Sequence, residues 1–158
     1  MVTLVSPVHR LIYASRTRLD AAGDMTVLLA EIRAQSLTAN RRRGVASLLV
    51  AHRGWFVQAF EGEEAFVRAT FARIAADPRH EAPEVLVEEG ETTRLLGDWS
   101  LATRVLSKAD TAVLMAADPP DSFAPHLASA RTWRRLIAVL GKAHARQFEE
   151  QQRQLAEA

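Results

Sequence analysis

Residues 45–62 read VASLLVAHRGWFVQAFEG. Two apolar runs, Val45 to Ala51 and Trp55 to Phe60, flank His52, Arg53 and Gly54. Runs of this length around a glycine predict a β-hairpin with Gly54 at the turn. Working outward, Leu11, Tyr13 and Ser15 alternate with Ile12 and Ala14, a period of two that predicts a strand with Tyr13 and Ser15 on one face. Between that strand and the hairpin, Asp20, Gly23 and Asp24 can start a helix. Met25, Leu28, Leu29, Ile32 and Ser36 then fall on one stripe at helical spacing, and Asn40 and Gly44 close it. Past Gly62 the helical period returns in Phe66, Val67, Thr70, Phe71 and Ile74, with Asp77 and Pro78 as the stop. Val85 to Glu89 and Asp98 to Val105 are weaker strand candidates, joined by a polar stretch with Gly90 and Gly97.

The resulting order is β-α-β-β-α-β with one extra strand. This is the α+β, ferredoxin-like arrangement, in which two helices cover one face of a sheet and leave a groove between them. From about Leu106 the pattern changes. Pro119, Pro120 and Pro125 break the chain, and Trp133, Leu136, Ile137, Leu140 and Phe148 then mark an amphipathic helix that runs into a charged, glutamine-rich end. The expected division is a domain over 1–105 and a helical extension over 106–158. That last helix has two readings that can hold together, a cap over the open sheet face and a surface for self-association.

Composition narrows the function classes. The 158 residues suit one domain with an appendage, and 48% apolar with 25% charged residues is ordinary globular composition. A formal charge of +1 gives no field that would attract nucleic acid, and Arg41 to Arg43 are most simply a solvated loop. There is no cysteine, hence no disulfide, thiolate nucleophile or cysteine metal site. His9, His52, His126 and His144 lack paired ligand spacing, so no metal is expected. No apolar run reaches membrane-spanning length and no signal-peptide layout is present, so the expected compartment is the cytoplasm. Glu61, Glu63 and Glu64 read as helix-start carboxylates favoured by the helix dipole rather than an acid–base pair. No phosphate loop or serine nucleophile motif occurs.

Gln58 is the most informative residue, because Phe56 and Phe60 form the rest of its strand face and its amide must be desolvated there. A buried amide left unpaired costs about 1 to 3 kcal/mol per group. Tyr13, from the first strand, could supply a hydroxyl, and on these residues alone a satisfied core pair is the favoured reading over a functional one.

Five segments, taken in order, resemble the signatures of the BLUF (blue light using flavin) photoreceptor family. They are Leu11-Ile12-Tyr13-Ala14-Ser15-Arg16, Ser36 with Asn40 before Gly44, Gly54 through Gly62, Asp77-Pro78-Arg79-His80, and Asp98-Trp99-Ser100-Leu101. The resemblance covers Leu11 to about Thr103. It implies a non-covalently bound flavin, FAD or FMN, between the two helices and over the sheet. Tyr13 and Gln58 would meet the ring, Ser15 would share their strand face, Asn40 and Ser36 would lie near its polar edge, and Ile32 would pack on it. Asp77, Arg79 and His80 would lie at the other side, and Trp99 takes the place of the family's switching tryptophan. An apolar groove with sparse amides suits an isoalloxazine.

The resemblance further implies signalling rather than catalysis. Tyr13 would donate an electron and then a proton, Gln58 would rearrange its hydrogen bonds, and the change would pass to a separate partner protein, with a homo-oligomer expected. The chain departs from the family pattern at Ala39, where an asparagine is often found, at Ala46 and Ser47, in place of a frequent threonine-glycine pair, and at Leu101, in place of a frequent methionine. These departures define an alternative, a light-insensitive interaction module on the same fold. A flavin enzyme is a third reading, for which no substrate-side acid, base or nicotinamide site is visible.

Overall fold

The computed structural model describes residues 7–17, 31–32, 34, 42–52, 55–77, 80–96, 102–105 and 129–157. Five strands, β1 (Val8–Thr17), β2 (Ala46–His52), β3 (Trp55–Gly62), β4 (His80–Thr92) and β5 (Ala102–Val105), form one sheet in the order β4-β1-β3-β2-β5. Helix α1 spans Glu64–Ala75 and helix α2 spans Ala130–Glu157. Four strands pair antiparallel and β5 adds parallel to β2, which gives the ferredoxin-like α+β fold its extra strand. The helix expected before the hairpin lies outside the described residues, save Glu31, Ile32, Ala34, Arg42 and Arg43, whose backbone is helical, so the last two are not loop.

The apolar runs of 45–62 form the expected hairpin, with Ala51 opposite Phe56 and His52 opposite Trp55. The runs look continuously apolar because both faces of these strands are covered. On one face Leu11, Tyr13 and Phe60 pack with Val45 and with Val67, Phe71 and Ile74 of α1. On the other, Ile12, Ala14, Leu48, Val50, Val57, Ala59 and Val87 pack with Trp133, Leu136, Ile137 and Leu140 of α2. The last helix lies on this face as a cap: those four side chains are at most 1% exposed. Each contributes about 1.5 to 3 kcal/mol of burial.

Gly44 enters β2 with φ 64°, the left-handed conformation that closes helical turns and disfavours side chains. A Cβ on Gly62 would stand 3.2 Å from the Gly44 carbonyl oxygen, so the end of β3 and the start of β2 are packed backbone to backbone.

One boundary corrects the sequence. β4 runs from His80 to Thr92 rather than from Val85 to Glu89. Among the described residues it is an edge strand, paired with β1 alone, so Pro83 and Gly90 cost it little. The pairing shifts register between Ala14 and Arg16, where Glu84 and Glu81 are the partners, and this irregularity takes up Pro83. α2 continues through its glutamine-rich stretch, held there by Glu150 bonded to Arg153 and Gln154, and every described side chain from Glu149 onward is exposed.

Candidate functional site

Tyr13 and Gln58 are direct partners in the β1–β3 register, on the face covered by α1. The Tyr13 hydroxyl donates to Gln58 Oε1 at 2.6 Å, and Gln58 Nε2 donates to Ser47 Oγ at 3.3 Å. All three are buried, with Gln58 the most exposed at 3%. Ser47 stands opposite Phe60 on β2, the diagonal neighbour of Gln58 on the same face. The desolvated amide therefore has the tyrosine expected of it and a serine that was not foreseen.

The Tyr13 ring stacks on Phe60 at 5.8 Å between centroids and meets Phe71 of α1 at 5.3 Å, tilted by 52°. Burial drives its phenol pKa well above the ordinary value, and the negative charge of Asp77 acts in the same direction. Tyr13 thus stays protonated and keeps an O–H to donate.

Four other expected residues are among those described. Ser15 is fully buried two positions along β1 on the same face, opposite Phe56. Ile32 is 5% exposed in helical backbone. Asp77 follows α1 directly, and its amide donates to the Ile74 carbonyl. His80 opens β4. Ser36, Asn40, Arg79, Trp99, Ala39 and Leu101 lie outside the described residues, as does the side chain of His80.

Glu61 corrects the sequence more sharply. It was expected as a helix-start carboxylate; instead it is fully buried at the end of β3, on the α2 side of the sheet. Arg10 faces it directly from β1 and gives it Nε at 2.9 Å and Nη2 at 2.8 Å. Glu61 also accepts the backbone amides of Leu95, at 2.9 and 3.0 Å, and Leu96, at 2.6 Å. Arg10 extends onward to Glu89, to Thr92 Oγ1 at 3.3 Å and to the Thr93 carbonyl. Arg134 of α2 brings Nε to 3.3 Å from Glu89 Oε2, a contact of charge rather than an aligned hydrogen bond. The signal for this network was available: Arg10 prolongs the row of Ile12 and Ala14, and Glu61 that of Val57 and Ala59, so opposite charges end two apolar rows. On the other face His9 Nε2 lies 3.0 Å from Glu88, which also takes Arg68 of α1. The His9 bond is the main cause that lowers the Glu88 pKa.

What the site could hold follows from unused capacity. A glutamine amide offers two N–H donors and an acceptor oxygen with two lone pairs. Among the described residues Tyr13 and Ser47 take up one lone pair and one N–H, which leaves one of each in a buried, aromatic-lined position. A flat heteroaromatic edge carrying alternating carbonyl and ring-nitrogen groups fits that remainder.

The model of the BLUF family, described as sensors of blue light using FAD, matches residues 8–102, more than half of the chain. The chain belongs to the BLUF family. The photoactivated adenylate cyclase subunit beta of Euglena gracilis is 38% identical over 73 residues, which are 46% of this chain and 8% of that protein. This BLUF chain thus spans under a tenth of the length of that curated relative. Among solved structures, the BLUF protein BlrB in its dark state superposes with a TM-score of 0.66 at 28% identity, over 85% of this chain and 97% of the other. The photo-activated state of BlsA superposes with a TM-score of 0.74 over 82% and 91%; at 22% identity it speaks for the fold. A bacterial light-regulated adenylyl cyclase matches over 68% of this chain and 32% of its own, with a TM-score of 0.58 at 25% identity.

Proposed function

We propose that this BLUF chain is a blue-light sensor that binds a flavin non-covalently and passes the light signal to a partner protein. The observation that carries this is the buried bond from the Tyr13 hydroxyl to Gln58 Oε1. Tyr13, Ser15, Ile32, Ser36, Asn40, Gln58, Asp77, Arg79 and His80 are the residues assigned to the flavin, FAD or FMN. Residues 1–105 would form the sensing unit and 106–158 its extension.

A bound flavin supplies the chromophore and a one-electron acceptor. Tyr13 contributes what a donor needs: a protonated phenol, kept from water, whose hydroxyl proton already points at Gln58 Oε1. Gln58 contributes an amide whose ends can exchange, by rotation or tautomerisation, with little change in volume. β3 then carries the altered bonding toward Glu61, and Trp99 would relay it on the side of the last strand. The role is sensory rather than catalytic, in the cytoplasm, with surface contacts as the output and self-association as a further expectation.

The test is illuminated difference spectroscopy on the purified full chain. A yellow protein whose absorption shifts reversibly to the red under blue light is the expected result. Bound flavin with no shift rejects photosensing through Tyr13 and Gln58 and supports the light-insensitive interaction module instead.

A further inference from the structure

Helix α2 turns Trp133, Leu136, Ile137 and Leu140 to the sheet. On its opposite side Arg131, Arg135, Lys142 and Arg146 fall within an arc of about 60°, at about 100° per residue, and Val139 lies in the gap between the two pairs. All four cations are exposed, and among the described residues none of them is ion-paired. Val139 is 43% exposed. Residues 130–148 contain five lysines and arginines and no aspartate or glutamate. Helix stability does not account for this stripe. Arg131 with Arg135 and Lys142 with Arg146 are like charges at i,i+4, which weaken a helix, and Arg131 stands in the first turn, where the dipole disfavours positive charge. Elsewhere the exposed helical surfaces set opposite charges together: Arg68 with Glu64 on α1, and Arg153 with Glu150 near the end of α2.

We propose that this outward stripe is the docking surface for a partner protein that presents an acidic helix, with carboxylates on either side of one apolar side chain. Carboxylates at i,i+4 reach each cation pair, and the apolar side chain between them meets Val139. The contact runs along about 22 Å of α2, from Arg131 to Arg146. A uniform polyanion such as a phosphate backbone fits less well: its charges would cross the uncharged gap at Val139 and then meet Glu149 and Glu150, exposed within one turn of Arg146. An anionic bilayer takes up a helix through an apolar face, and that face of α2 already covers the sheet. The end of α2 in a second copy does not supply the pattern either, because Glu149, Glu150 and Glu157 lie on the side of the helix away from the exposed Leu155. The use of this surface in signalling rests on the sensor reading; docking itself needs no light.

The experiment uses the purified full-length chain and a synthetic helical peptide that repeats the stripe's spacing, with glutamate for each cation and leucine for Val139 on an alanine-glutamine background. Fluorescence anisotropy should show binding that weakens as salt is added. Arg135→Glu combined with Lys142→Glu should weaken it about tenfold further, and Val139→Asp about threefold. Arg135→Gln combined with Lys142→Gln should act in the same direction by a smaller factor, which keeps the test intact if charge reversal disturbs the helix. A peptide of the same composition with its glutamates scattered around the helix should bind about tenfold more weakly than the patterned one. Equal affinity for the scattered peptide, tighter binding of duplex DNA or of phosphatidylserine vesicles, or binding unmoved by the substitutions overturns the proposal. Sedimentation that shows the parent self-associating and the reversed variant monomeric assigns the stripe to a second copy and overturns it as well. Patterned binding of equal strength in dark and blue light keeps the docking surface and defeats the passing of a light signal through it.

Discussion

Arg10 and Glu61 face each other across β1 and β3, 2.8 Å apart and at most 2% exposed, beside the end of β4. The carboxylate receives the amides of Leu95 and Leu96, while the guanidinium holds Glu89, Thr92 and the Thr93 carbonyl. The pair therefore fixes residues 92–96 against the end of β3. Removing Glu61 leaves the Leu95 and Leu96 amides and the Arg10 Nε without this buried acceptor, with Glu89 as the remaining carboxylate on the guanidinium. Glu61→Ala should cost about 3 to 5 kcal/mol in urea unfolding. Glu61→Gln should speed hydrogen exchange at the Leu95 and Leu96 amides before other parts of the sheet respond.

Tyr13 is the only tyrosine in the chain, so any phenolate absorbance reports on it alone. Its folded-state pKa lies well above the ordinary value of about 10. The sign follows: the unfolded chain gives up this proton first, so the contribution of Tyr13 to stability is complete below about pH 10 and is lost as pH rises beyond it. In an alkaline titration, phenolate should appear together with loss of the folded circular dichroism signal rather than ahead of it. Tyr13→Phe should flatten the alkaline fall in stability.

Gln58→Leu removes the acceptor of the Tyr13 hydroxyl and the donor to Ser47 in one step. Two buried hydroxyls then lose a partner, so stability should fall by about 1 to 3 kcal/mol in denaturant. Flavin should still bind, and the reversible red shift should vanish in difference spectra.

Leu136 and Ile137 of α2 are fully buried against the sheet. Leu136→Ala or Ile137→Ala should each cost about 2 to 5 kcal/mol, measured by chemical unfolding. Because the covered face is apolar, a variant that loosens α2 should also self-associate more strongly in sedimentation, with Ile12, Leu48 and Val50 exposed to a second molecule.

The hairpin, the Tyr13 face of β1 and the pairing of Tyr13 with Gln58 were legible because alternation along a strand is strict: one polar amide between Phe56 and Phe60 cannot avoid the core. Ser47 was not legible, since a small residue inside an apolar run looks like filler until its diagonal neighbour is known. Glu61 was misread because it stands just before α1, where an acidic residue is ordinarily explained by the helix dipole. Only the register opposite Arg10 shows that it points into the sheet's other face. β4 was underestimated at both ends because Pro83 and Gly90 weaken a strand pattern, and only its place at the edge makes them harmless. That the last helix covers the sheet depended on the position of the open sheet face, which no local periodicity describes.

The 28 residues of α2 extend about 42 Å, and among its described side chains the last buried position is Gly141. About 24 Å of helix continues from there to Glu157. Such a geometry is a lever arm with its fulcrum on the sheet: tilting the buried part by about 10° would sweep the far tip through about 4 Å. A displacement too small to disturb the packing around Trp133 is thereby enlarged to a size that another macromolecule could feel at the tip.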